Sequence, residues 1–208
     1  MDNDRRKLTG VPATCLWAIL LMALPFAGHF ATAQEEAPLS RGAVILAEIN
    51  GPVAFLNENN QSLGDAYTIS GMLIPQSTSI RTGVGGSVIL LLSNGSLVTI
   101  EENTVMRVAS FVQEPFDDMG RSLKDLEEEP SSSSVLVDLE IGSLVVKTKK
   151  LNKQSNFEIV SPVGTSGIRG TQFGMGFSPK DGMSLDVTES TVSFSPRGGG
   201  PAQMVPAG

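Results

Sequence analysis

"SPVGTSGIRGTQF", residues 161–173, sets three glycines, an arginine and two threonines between apolar, strand-like runs. Three loop motifs come close to it and fail. A P-loop needs glycine, four residues, then Gly-Lys-Ser/Thr; counted from Gly164, the glycine position holds Arg169 and no lysine follows. Gly164, Gly167 and Gly170 stand three apart, which breaks the G-x-G-x-x-G dinucleotide fingerprint. Gly167-Ile168-Arg169-Gly170 spells the GXXG of RNA-clamping KH loops, but that loop belongs in a basic domain between helices. Strand geometry remains. The glycines let a strand pair bend or bulge and allow close backbone approach. Arg169 then reads as a buried or half-buried cation, with Phe157, Ile159 and Phe173 near it in sequence. Its donors suit backbone carbonyls or a neighbouring carboxylate, and Thr171 can satisfy an adjacent backbone group. A fold-defining corner and a grip on an anionic group both stay open.

Outward from this stretch the chain reads as all-β, with short β-branched runs between closely spaced turns. "GAVILAEINGPVAFL" predicts strands 43–49 and 52–56 around Asn50-Gly51, a pair that favours a type I′ hairpin. "GSVILLLSNGSLVTI" repeats the pattern around Asn94-Gly95. "YTISGMLIPQSTSIRTG" suggests two strands separated by Gly71 and Pro75, and "TVMRVASFV" a further one. In "SVLVDLEIGSLVVKTKKL", Val137, Leu139 and Ile141 alternate with Asp138 and Glu140, the period of a strand with one wet face; Gly142 marks a turn or bulge. "FEIVS", "GTQFGMGF", "MSLDVT" and "TVSFS" complete about a dozen short strands, a single sandwich- or roll-like domain. Residues 113–134, rich in Asp, Glu and serine, read as an acidic mobile insertion with a helical turn around Ser122–Glu128. Residues 34–41 read as a linker, and the Gly/Pro-rich 196–208 as a loose tail.

The N-terminus narrows the chemistry. Arg5, Arg6 and Lys7 precede an uncharged stretch centred on Leu16–Phe26, and Ala31-Thr32-Ala33 closes it. That is the layout of a signal peptide, residues 1–33, cut between Ala33 and Gln34. The apolar part is short for a membrane span and contains Pro25, so no span is expected after cleavage. Cys15 precedes the apolar run and follows Thr14, which argues against lipidation. Cys15, Trp17 and His29 are the sole residues of their kinds, and all lie in this segment. The remaining chain has no cysteine or histidine, which excludes a disulfide, a histidine-based triad and a Cys-His pair. No catalytic residue, cofactor or metal is expected; catalysis by paired carboxylates stays formally open. The whole chain has 15 Lys and Arg against 22 Asp and Glu, and residues 1–33 hold three of the former and two of the latter. A net charge of about −8 remains, which argues against nucleic acid and anionic membrane surfaces as partners.

The residues also carry a resemblance. "FEIVSPVGTSGIRGTQF" is similar to the signature of FecR-type domains, in which an extended segment leads through a Thr/Ser-Pro pair to an apolar-Arg-Gly-Thr-x-Phe core. The matching positions here are Pro162, Gly164, Gly167, Arg169, Gly170, Thr171 and Phe173. "SIRTGVGGSVILLLSNGSLVTIEENTVMRV" and "LEIGSLVVK" resemble the upstream elements, so the likeness covers residues 42–195. The resemblance implies a periplasmic FecR-like protein, whose best-known relatives join this domain through one membrane helix to a cytoplasmic anti-sigma segment. They relay the state of an outer-membrane transporter, often one for ferric siderophores. Here about ten residues precede the apolar stretch, so the anti-sigma segment is expected to be lacking. A Glu189-Ser190 step also stands where the family usually has Glu-Gly. The combined expectation is a periplasmic or secreted, non-enzymatic binding or scaffold module, whose partner is an envelope protein or glycan. A module that relays an envelope signal to a membrane partner is the alternative.

Overall fold

The longest apolar alternation in the sequence becomes the longest strand, and it changes phase midway. In Ser133–Lys147 the odd positions Val135, Val137 and Leu139 are buried, and then the even positions Leu144 and Val146. The slip occurs at Gly142, whose φ of 99° is disfavoured for any residue with a Cβ. Ile141, expected on the apolar face, is therefore only half-buried. The computed structural model describes residues 39–117, 120, 122–170 and 172–208. The expected signal peptide, its cleavage point at Ala33–Gln34, and Thr171 lie outside the described residues.

Among the described residues fourteen strands form one hydrogen-bonded sheet. In chain order they are β1 (Ser40–Arg41), β2 (Val44–Asn50), β3 (Val53–Leu56), β4 (Ser79–Thr82), β5 (Ser87–Leu92), β6 (Leu97–Ile100) and β7 (Val105–Gln113), followed by β8 (Ser133–Lys147), β9 (Asn156–Ser161), β10 (Gly164–Ile168), β11 (Gln172–Ser178), β12 (Gly182–Val187), β13 (Thr191–Pro196) and β14 (Gln203–Pro206). The sheet bends into two leaves at Gly142. Before the bend β8 pairs with β7 and runs parallel to β9; after it, β8 pairs with β6 and β11. The first leaf is ordered β3-β4-β7-β8-β9-β10-β13-β14, with β1 also on β7. The second is ordered β2-β5-β6-β8-β11-β12. Parallel neighbours need a crossover. Here the far half of β8 and residues 148–155 supply it, passing by way of the other leaf.

One apolar cluster draws on both leaves, with Val137, Phe157 and Ile159 from the first and Leu90, Val98 and Phe173 from the second. The bend itself is held by polar groups. The buried Thr104 hydroxyl accepts the Ser143 N–H at 2.9 Å and lies 3.1 Å from both Ser143 O and Glu102 O. Thr104 N–H donates to Thr82 Oγ1 at 2.9 Å, and that hydroxyl donates to Glu101 O at 2.6 Å. Two threonines thus satisfy backbone groups that the bend removes from the ladder.

Several local expectations need correction. Asn50-Gly51 does not close a hairpin: β2 pairs with β5 in one leaf and β3 with β4 in the other. Asn94-Gly95 does close one, between β5 and β6, through residues 93–96. Gly95 N–H bonds Leu92 O, and Gly95 takes the left-handed position, at φ 83°. The first strand expected in "YTISGMLIPQSTSIRTG" is replaced by a 3₁₀ turn at Asp65–Thr68 and a single bridge between Ile45 and Leu73. Residues 40–41 of the expected linker form β1, and part of the expected loose tail forms β14 against β13.

The acidic segment holds a 3₁₀ turn at Leu123–Asp125, within the helical turn expected there. Its end is buried rather than surface-exposed like the rest of an acidic loop: Glu129 is only 5% exposed. Its carboxylate accepts from Ser133 Oγ, from Ser155 Oγ at 2.5 Å and from Asn152 N–H at 2.9 Å. Glu129 therefore pins the crossover loop to the start of β8.

Two substitutions test this framework by chemical denaturation. A Cβ on Gly142 would lie 2.3 Å from Thr104 Oγ1 at a positive φ, so Gly142→Ala should cost about 2–4 kcal/mol. Glu129→Ala orphans buried donors and should cost about 2–3 kcal/mol. Glu129→Gln, whose amide oxygen can still accept the Asn152 N–H, should cost distinctly less.

Candidate functional site

The glycine-rich stretch of residues 161–173 spans a hairpin and a passage between leaves. Pro162 and Val163 form the two-residue turn between β9 and β10, with Pro162 presetting the backbone at the turn's first central position. Gly164 is buried beneath Phe194; a Cβ there would come within 2.5 Å of that ring. At Gly167 a Cβ would meet Ser193 Oγ at 2.7 Å. Gly170, at φ 79°, lies close against the backbone of Lys149, Lys150 and Leu151, where the chain leaves the first leaf. Phe173 is then fully buried in the second leaf, paired with Val146 and Val187. Arg169 corrects the buried-cation reading. Its side chain is exposed, and Nη1 donates to Lys153 O at 3.2 Å. A backbone carbonyl is one of the partners its donors suggested.

The outward face of the first leaf collects side chains that are remote in sequence. Register places Ser79, Arg107, Asp138, Val160, Thr165 and Ser195 in one row across six strands. Arg107 and Asp138 alternate with the buried Met106, Val108, Val137 and Leu139, so the charged pair faces outward by strand periodicity alone. Arg107 Nε and Nη2 reach Asp138 Oδ2 at 2.8 and 2.7 Å. A groove of about 420 Å³ runs over this row from Ser79 to Val160, lined by Asn60, Arg81, Arg107, Asp138, Glu140 and Pro162, among others. Arg81 Nη2 donates to Asn60 Oδ1 at 3.1 Å. Glu58, Glu140 and Arg197 also line it, and their side chains form no ion pair among the described residues.

A second hollow of about 450 Å³ lies farther along the same face, over Gly167, with Glu158, Arg169 and Met204 in its walls. The motif residues therefore separate: Pro162 borders the groove, Gly167 and Arg169 border the hollow, and Gly164, Gly170 and Phe173 shape the fold. The groove's charged residues escaped the sequence reading. The alternation around Asp138 was visible, but the partner facing it from another strand was not.

Away from this face, Lys150 Nζ lies 2.6 Å from Glu128 Oε1. The hydrogen bond to Glu128, reinforced by its charge, holds the Lys150 ammonium above its ordinary pKa. Among the described residues no three His, Cys, Asp or Glu side chains are grouped to hold a metal ion. No helix among them is long and apolar enough to cross a membrane.

No curated protein matches the sequence. Among solved structures, two crystal structures of a "putative anti-sigma factor" from Parabacteroides distasonis are similar, at 16% and 17% identity and a TM-score of 0.46 each. Each alignment covers 62% of this chain and 51% of that one, so the chain spans about half the length of those structures. The family model described as FecR protein matches residues 78–193, from just before β4 into β13. That span starts later than the likeness drawn from motifs at 42–195, and it contains the whole glycine-rich stretch. With more than half of its length matched, the chain belongs to the FecR protein family.

Proposed function

We propose that this chain is an exported, non-enzymatic binding module of the bacterial envelope, working in the periplasm or outside the cell. Its contact surface is the groove on the outward face of the first leaf, and its partner is an envelope protein or glycan. The observation that carries the reading is the charge left unmatched around that groove. Glu58, Glu140 and Arg197 surround the internally paired Arg107 and Asp138, so a partner meets both signs of charge around a floor of paired strands. Such complementarity favours selectivity of encounter over raw affinity. The envelope association of FecR proteins supports the location. Family membership also favours a second reading, in which the module relays an envelope signal to a membrane partner.

Affinity capture from the native envelope fraction, with the wild-type chain beside a Glu140→Lys/Arg197→Glu variant, tests the proposal. Neither side chain is paired, so the variant should keep wild-type stability within about 0.5 kcal/mol. The expected result is a partner enriched by the wild type and lost with the variant. Enrichment of a transporter or an anti-sigma protein would favour the relay; envelope structural proteins or glycans would favour the scaffold. Equal capture by both chains would remove the groove from the account.

A further inference from the structure

The chain is acidic overall, yet five of the eleven Lys and Arg side chains among the described residues gather at one edge of the fold. Lys149, Lys150 and Lys153 come from the crossover loop, Lys124 from the acidic segment and Arg169 from the glycine-rich stretch. Three contacts hold them together. Lys149 Nζ donates to Lys124 O at 2.8 Å, Gly170 packs against Lys150, and Arg169 donates to Lys153 O. This edge shares no residue with the groove over Arg107 and Asp138.

The chain itself displays what this loop accepts. Glu128 forms a parallel bridge with Lys150, Glu129 N–H donates to Lys150 O at 3.1 Å, and Lys150 Nζ holds the Glu128 carboxylate. An extended acidic segment is thus seated by backbone pairing together with an ion pair. At Glu129 the segment turns into the interior, and the cations continue beyond it. The side chains of Lys153 and Arg169 are exposed and have no carboxylate partner among the described residues. Glu158 borders the same hollow as Arg169 and forms no ion pair with it.

We infer that Lys153 and Arg169, at the end of this basic edge, dock an extended acidic peptide segment of a partner protein, continuing the seating that Glu128 begins on Lys150. An exposed guanidinium held against the backbone of an exposed lysine suits carboxylates presented along an extended chain. A bilayer is the poorer fit, because the rest of this acidic surface would face the same anionic headgroups.

Fluorescence anisotropy with a fluorescein-labelled hexaglutamate peptide, and a hexaglutamine control, reads the interaction. The wild-type chain should bind hexaglutamate saturably and ignore hexaglutamine. Lys153→Gln with Arg169→Gln should weaken binding by about tenfold or more. Lys180→Glu, in the turn between β11 and β12, should leave it unchanged. The charge reversal Lys153→Glu with Arg169→Glu should abolish it and instead bind a hexalysine probe. Thermal unfolding of each variant verifies the fold, and the glutamine pair serves if the reversal does not fold. Absence of saturable hexaglutamate binding would overturn the inference, as would equal loss in Lys180→Glu. Tighter, Lys153- and Arg169-dependent binding to phosphatidylglycerol vesicles would overturn it in favour of a lipid surface.

Discussion

The contact between the Thr104 hydroxyl and the backbone of Ser143 is the constraint on which the remaining architecture depends. A strand of fifteen residues cannot serve two leaves without a bend, and a bend exposes backbone groups that its neighbours no longer satisfy. Gly142 supplies the conformation, and Thr104, just ahead of the neighbouring strand β7, replaces the missing partner. The phase slip that follows keeps an apolar side turned inward on both halves of β8. Without it, one leaf would present its polar face to the core.

The proposed contact surfaces follow from the same geometry. Because β8 is shared, its first half fixes Asp138 opposite Arg107 while its second half anchors β11 and the end of the glycine-rich stretch. The groove's floor is consequently built on paired strands, with the turn residues Glu58 and Arg197 at its rim, which favours a preorganised contact surface. The basic edge has another origin. It forms where the crossover loop, held by Glu129 through Asn152 and Ser155, meets the chain leaving the first leaf at Gly170. A buried carboxylate and a left-handed glycine together place Lys153 beside Arg169.

Fold class was legible from local pattern. β-branched runs, the Asn94-Gly95 turn and the alternation around Asp138 each depend on neighbours within a few residues. Connectivity was less so. Asn50-Gly51 has the local chemistry of a hairpin, yet its flanking strands find better partners in different leaves, and nothing within the dipeptide records that choice. Arg169 was misplaced for a related reason: apolar neighbours in sequence suggested burial, whereas Gly167 and Gly170 set it on the outward face. Glu129 looked like its solvated neighbours because its three hydrogen-bond donors come from residues 133, 152 and 155. The groove residues were individually visible, but their assembly requires the register of strands far apart in the chain.

The most direct measurement is the unfolding free energy of Thr104→Val beside Thr104→Ser. Valine keeps the shape and removes the hydroxyl that faces Ser143. If the bend is held as described, Thr104→Val should lose about 1–3 kcal/mol, whereas Thr104→Ser should lose much less. A Thr104→Val variant as stable as the wild type would show that the two-leaf bend does not need this contact.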